Sequence, residues 1–174
     1  GVIEGYFGLS PYRVERGGVH GFITYSLLHD GPIHILFNGL ILFFTGRVIQ
    51  LRLGGERLIE IFVFCALLGG FAWYAVQLLM NQQLASVIGA SGAAMGFTAL
   101  FALYLWDETL TFFILLFPVQ MRGKTLFYGI LGFQALFFLA NELSPAPGDR
   151  TAYSAHLGGF LGGYPYHRFL AAKP

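Results

Sequence analysis

The stretch SVIGASGAAMGF (residues 86–97) places a serine, Ser91, between Gly89 and Gly92 inside a long apolar segment. Gly92 and Gly96 are four residues apart, and small residues at this spacing form a helix face that lets two backbones approach closely in lipid. A hydroxyl beside such a face can reach a side chain on the neighbouring helix. The stretch therefore predicts a bundle of membrane helices, with Ser91 near the start of a tightly packed one.

The composition of the chain also indicates a membrane protein. Of its 174 residues, 56% are hydrophobic and only 11% are charged, and the mean hydropathy is +0.65. A soluble domain has about a quarter charged residues. A net charge of +1 forms no basic patch, so we expect no nucleic-acid partner. The single cysteine, Cys65, allows no disulfide within the chain.

Five segments approach the length of about twenty apolar residues that a spanning helix needs. They are residues 33–48, 58–80, 87–106, 125–143 and 153–170. We expect an all-α polytopic membrane protein with a single domain over residues 1–174, in which residues 1–30 form an outer loop or interfacial segment. A sixth apolar run, residues 109–119, is too short to span and is predicted to be an interfacial loop or strand.

Basic residues in short loops predict the orientation, because such loops stay in the cytoplasm. On this basis, the loop between the first two spans, the loop between the third and fourth spans and the segment after the last span are assigned to the cytoplasm. They contain Arg47, Arg52, Arg57, Arg122, Lys124, Arg168 and Lys173. The loops on the opposite side contain only Arg150, although Arg13 and Arg16 of the opening segment go against the bias. Five spans would leave residue 1 outside, so we expect a further core helix before it.

Four polar side chains fall at a similar depth, near the outer ends of three predicted helices: His34, Asn38, Ser91 and His156. Polar groups inside a bilayer are costly unless they meet partners or water, which makes them functional candidates. His34 and Asn38 are spaced i, i+4 and share one helix face. The glycines of GASGAAMG and AHLGGFLGG would bring the third and fifth helices close enough for Ser91 to meet His156.

Each of these residues has a simpler explanation when taken alone. Ser91 could be a small packing residue, and His34 and Asn38 could join helices by hydrogen bonds. His156 could bind a metal or haem, but other candidate ligands lack suitable spacing, so we expect no metal and no cofactor. Joint occurrence at one depth favours a Ser–His dyad, since a histidine base activates serine and no carboxylate lies at this depth. The remaining histidines are interpreted as loop or interfacial residues: His20, His29 and His167.

Three motifs in this order, HILFN (residues 34–38), GASG (89–92) and AHLGG (155–159), resemble the rhomboid intramembrane serine proteases. The similarity extends over about residues 22–169. It implies a six-helix core, of which this chain would contain the second to the sixth helix. It also implies that Ser91 is the nucleophile and His156 its base, and that His34 and Asn38 stabilise the oxyanion.

The sequence departs from the family pattern at two places. His20 and Gly21 stand where a Trp-Arg pair is frequent in the family. Met95 stands where an aromatic residue often stacks on the catalytic histidine. Support for His156 is therefore expected from packing or from another residue, such as Tyr153. Neither departure changes a reacting group.

The resemblance implies an endopeptidase that cleaves transmembrane segments of other membrane proteins near the outer membrane surface. We expect an integral multi-pass protein of the bacterial inner membrane, with the lipid bilayer and transmembrane substrates as partners and the site toward the non-cytoplasmic side. One alternative is a catalytically silent rhomboid-like binding or chaperone module, which would be expected to lack Ser91 or His156. Another is a small transporter or channel, which predicts ionisable residues at mid-membrane that the sequence lacks.

Overall fold

The computed structural model describes residues 2–83, 85–114, 116–143 and 151–170, so that Arg150 and Lys173 of the orientation argument lie outside it. The chain opens with short helices and a 3-10 turn: α1 (Val2–Phe7), α2 (Pro11–Val14), α3 (Gly21–Thr24) and Tyr25–Leu27. Leu9 is buried and exchanges backbone hydrogen bonds of 3.2 and 2.9 Å with Val87. The buried Tyr25 hydroxyl donates to the carbonyl oxygen of Ala66 at 2.8 Å. These contacts fix the opening segment to the rest of the protein.

Five further helices form a bundle in the described part of the chain. They are α4 (Pro32–Leu53), α5 (Glu56–Leu79), α6 (Ser91–Tyr104), α7 (Gly123–Phe137), continued by the π-helical turn Phe138–Glu142, and α8 (Tyr153–Pro165), continued by the π-helical turn Tyr166–Leu170. Large apolar side chains of α4 point out of the bundle, as lipid-facing residues do: Ile33, Leu36, Phe37 and Phe44. The predicted all-α membrane bundle is confirmed, with one small pair of strands in addition.

The helices differ in their bounds from the predicted spans. In the described part of the chain, α4, α5 and α7 with its π-helical turn are long and apolar enough to cross a membrane. Helix α6 has 14 residues, which at about 1.5 Å each reach only about 21 Å across a hydrocarbon core of about 30 Å. It begins at Ser91 instead of residue 87, because Val87 pairs with the backbone of Leu9 and Gly89 has a φ of +126°.

The short apolar run after α6 forms a hairpin. Strands β1 (Thr109–Ile114) and β2 (Phe117–Arg122) are antiparallel, with Thr109 opposite Arg122 and Ile114 opposite Phe117. Threonine and phenylalanine in β1 fit a pleated, half-buried surface. Of the two possibilities that the sequence left open for this run, a loop or a strand, the structure has the strand.

Helix α6 lies at the centre of the bundle, since nine of its 14 residues are buried. Its glycines face those of α8. A Cβ atom added at Gly159 would overlap the carbonyl oxygen of Gly92, and one added at Gly163 would lie 2.8 Å from the carbonyl oxygen of Gly96. The predicted packing of the third and fifth spans through their glycine faces is therefore confirmed, and it brings the starts of α6 and α8 together.

Candidate active site

Ser91 is the first residue of α6, and the turn before it depends on Gly89. The φ of Gly89, +126°, is rarely adopted by residues with a side chain, and a Cβ atom there would lie 2.9 Å from Cε1 of His34. Glycine thus permits both the turn and the close approach of the His34 ring. The first backbone N–H groups of a helix lack partners within the helix, and the helix dipole favours negative charge at this end.

His156 lies at the end of the first turn of α8 and faces Ser91. Its Nε2 atom is 2.8 Å from the Ser91 Oγ atom. The two side chains that were predicted to meet are therefore within hydrogen-bond distance. The ring of Tyr153, one turn earlier, packs edge-on against the His156 ring, with 5.9 Å between centroids and 78° between planes. A serine hydroxyl bonded to a neutral imidazole can pass its proton to that ring.

His34 and Asn38, on the first two turns of α4, line the same cavity of about 630 Å³ as Ser91 and His156. Asn38 is only 5% exposed, and its Nδ2 atom has no hydrogen-bond partner within the residues described. The Nδ1 atom of His34 accepts a hydrogen bond from the backbone N–H of Asp30 at 3.4 Å. In the neutral ring, Nε2 of His34 therefore carries the proton and can donate into the cavity.

His29 supports the turn before Ser91. Its Nε2 atom accepts a hydrogen bond from the backbone N–H of Ala90 at 3.4 Å, and its ring packs edge-on against His34 with 5.0 Å between centroids. Burial first, and then the nearby His34, lower the pKa of His29. The ring therefore stays neutral at pH 7 and keeps the acceptor nitrogen that this bond requires. The loop position of His29 was predicted from the sequence, but this contact was not.

A buried amide from α7, which the sequence analysis missed, contacts His156. The Oε1 atom of Gln134 lies 3.2 Å from Nδ1 of His156, and its Nε2 atom lies 3.4 Å from Sδ of Met95. Met95 follows Ser91 by one turn, at the position where the family pattern often has an aromatic residue. The available signal was an amide within an apolar helix, because polar groups inside a membrane mark functional sites.

The start of α8 is fixed by Glu142, at the end of the π-helical turn after α7. Its carboxylate accepts hydrogen bonds from the Ser154 backbone N–H at 2.6 Å and from the Ser154 hydroxyl. The Nε2 atom of Gln77 on α5 donates to the same carboxylate at 3.4 Å. A carboxylate at a helix N-terminus satisfies free N–H groups and is favoured by the dipole. Glu142 thus caps the helix that carries His156, a role that the sequence analysis did not assign.

These contacts bring together groups whose chemistry is suited to acyl transfer. A hydroxyl contacts a base, and possible hydrogen-bond donors from α4 and the start of α6 lie beside it. Glu4 and Asp30 also line the cavity. Within the described ranges, no three His, Cys, Asp or Glu side chains are grouped so that they could hold a metal ion.

The fold and the site together define a class: helical membrane proteins in which a serine at the start of one helix meets a histidine of a neighbouring helix beside a polar cavity. Residues 16–173 match the Rhomboid domain family. The chain therefore belongs to the rhomboid family, and the resemblance seen in the three sequence motifs is confirmed.

Two curated relatives carry rhomboid protease names. The chain is 28% identical over 154 residues to "Putative rhomboid protease YdcA" of Bacillus subtilis (strain 168), which covers 87% of this chain and 67% of that protein. It is 40% identical over 50 residues to "Rhomboid protease GlpG" of Enterobacter sp. (strain 638), which covers 29% of this chain and 18% of that protein. The similarity thus spans about two thirds of the first relative and less than a fifth of the second.

Proposed function

We propose that this protein is an intramembrane serine endopeptidase in which Ser91 is the nucleophile and His156 the general base. The observation that carries the proposal is the distance of 2.8 Å between Ser91 Oγ and His156 Nε2, beside a cavity large enough for a peptide segment and water. Membership of the rhomboid family and the names of the two relatives support the same activity.

The proposed reaction follows the chemistry of the pair. Nε2 of His156 takes the proton of the Ser91 hydroxyl as Oγ attacks the carbonyl carbon of the scissile peptide bond. The imidazolium then gives this proton to the leaving amine, and the C–N bond breaks to leave an acyl-enzyme on Ser91. A water molecule, activated by the same histidine, hydrolyses the ester and restores the free serine.

The negative charge on the tetrahedral intermediate is proposed to lie between α4 and the start of α6. Three sources of hydrogen bonds face this region: Nδ2 of Asn38, Nε2 of His34 and the first N–H groups of α6. The Asn38 amide is buried without a described partner for its Nδ2 atom, which suits a donor whose acceptor forms only during reaction. Removing one such donor typically costs about a hundredfold or more in rate.

The proposed substrate is a transmembrane segment of another membrane protein. A peptide bond within a helix is shielded, so the segment must unwind locally before Ser91 can attack, and small, helix-weakening residues near the cut site should favour cleavage. Arg52 and Arg57 lie at the ends of α4 and α5 away from the cavity. Since basic loops stay in the cytoplasm, the cavity would open toward the non-cytoplasmic side, and the Bacillus relative supports a bacterial membrane.

Reconstitution in vesicles tests the proposal. The substrate is a tagged reporter whose transmembrane segment contains glycine and alanine near its outer end. Wild-type protein should release both tagged fragments, whereas Ser91→Ala and His156→Ala should be slower by at least about a thousandfold with unchanged melting temperature. Equal cleavage by wild type and Ser91→Ala would contradict the proposal. If wild type and Ser91→Ala both bind the reporter without cleaving it, the result would instead support a rhomboid-like binding module.

A further inference from the structure

Helix α7 presents a buried amide to the site although only three of its 15 residues are buried. Gln134 is only 6% exposed, whereas its neighbours Phe133 and Leu136 are 52% and 62% exposed. Burying an amide costs free energy unless hydrogen bonds replace those made to water. A glutamine at this position is therefore explained by the two groups that it contacts, His156 and Met95.

The two contacts determine which way the amide points. A methionine sulfur can only accept a hydrogen bond, so the NH₂ group of Gln134 must face Sδ of Met95, at 3.4 Å. The amide oxygen then faces Nδ1 of His156, at 3.2 Å. An amide oxygen can only accept, so Nδ1 carries the proton of the neutral ring. Nε2 is left without a proton, 2.8 Å from Ser91 Oγ, as a general base requires.

We propose that Gln134 is a positioning residue for the reaction: it selects the tautomer of His156 and stabilises the imidazolium formed when Ser91 loses its proton. The role corresponds to that of the carboxylate in a catalytic triad, performed here by an uncharged amide whose orientation Met95 holds. This inference rests on the proposed protease activity, because without that reaction His156 has no proton to take.

The inference is tested with Gln134→Leu, which has a similar volume and no acceptor. Because a hydrogen bond strengthens when its donor becomes charged, loss of the acceptor should lower kcat about ten- to hundredfold. KM should stay within about twofold, since the bond acts mainly on the transition state. The imidazolium also loses an acceptor, so the acid limb of the kcat/KM profile should move to lower pH by up to about one unit.

Gln134→Glu is the rescue variant. Its side chain keeps an acceptor at the same position, so kcat should recover most of the loss seen with leucine. A carboxylate beside the imidazolium should move the acid limb to higher pH, opposite to the shift in Gln134→Leu. Among the described residues, six other titratable groups lie at or near this part of the cavity and are the same in every variant: Glu4, His29, Asp30, His34, Glu142 and Tyr153. Opposite shifts can therefore be assigned to residue 134.

Gln77→Leu provides the matched control. Gln77 is buried to a similar extent, 7% exposed, and donates to Glu142. Its loss should lower the melting temperature and leave the acid limb in place. If the acid limb is unmoved in both Gln134 variants and kcat stays near wild type in the folded protein, the role of Gln134 is overturned while the protease proposal stands. Cleavage by wild type no faster than by Ser91→Ala would overturn the protease proposal and the inference with it.

Discussion

Gly159→Ala is expected to abolish most activity by separating α6 from α8 without altering a reacting atom. A Cβ atom at Gly159 would overlap the carbonyl oxygen of Gly92. The obstructing atom belongs to the backbone of a buried helix, so it cannot turn aside as the end of a flexible side chain could. Restoring an ordinary van der Waals contact requires the two backbones to separate by roughly 1 Å or more.

The size of the effect follows from this separation. The Ser91–His156 pair bridges α6 and α8 with 2.8 Å between Oγ and Nε2. An added ångström takes the contact beyond the limit of about 3.5 Å for a hydrogen bond. A misplacement of this size costs about a hundredfold in rate, so kcat should fall by about that factor. Overpacking should also cost about 1–3 kcal/mol in the free energy of unfolding.

The assay measures kcat on the vesicle reporter beside the melting temperature. Gly129→Ala on α7 is the matched control, because a Cβ atom there would have no neighbour within 4 Å. It should keep wild-type kcat and melt no lower, since alanine favours a helix over glycine by about 1 kcal/mol. Gly92→Ala, whose Cβ atom would lie 3.1 Å from the carbonyl oxygen of Ala155, should lose less than Gly159→Ala. Wild-type kcat in Gly159→Ala would show that the close contact of α6 with α8 is not needed for activity.

Two further predictions concern Asn38 and His29. Asn38→Ala should lower kcat by about a hundredfold or more with little change in KM, because the amide acts in the transition state. The melting temperature should change little, because interhelical hydrogen bonds in membranes average only about 0.6 kcal/mol. A lower melting temperature with normal kcat would assign Asn38 to helix packing instead. The lowered pKa of His29 means that the unfolded chain binds its proton more readily. Stability should therefore fall as the pH drops below about 6.5, and less steeply in His29→Gln, which keeps an acceptor for Ala90; parallel melting curves would count against this.

The features that were predictable from the sequence are those set by local pattern. Apolar segments of helical length predicted the bundle, because composition and length decide whether a helix can lie in a membrane. Glycines four residues apart predicted the contact between α6 and α8, because their spacing alone defines a helix face. The meeting of Ser91 and His156 follows from that contact, since both residues lie at the ends of the glycine faces.

The features that were missed depend on contacts between distant parts of the chain. The true start of α6 depends on pairing between Val87 and Leu9, which no local pattern indicates. The contact of Gln134 with His156 requires the rotation of α7 about its axis, and its exposed apolar side chains leave that rotation undetermined by the hydrophobic pattern. The contact of Glu142 with Ser154 joins the π-helical turn after α7 to the start of α8.

Covalent labelling by a fluorophosphonate is the decisive experiment for the Ser91–His156 dyad, because Ser91 Oγ would displace fluoride from phosphorus only if His156 removes its proton. We expect one adduct per chain, located by peptide mass spectrometry at Ser91. It should be absent in Ser91→Ala and strongly slowed in His156→Ala, while Gly129→Ala labels as wild type does. Absence of an adduct on the folded wild-type protein, or equally fast labelling of His156→Ala, would show that Ser91 and His156 do not act as a dyad.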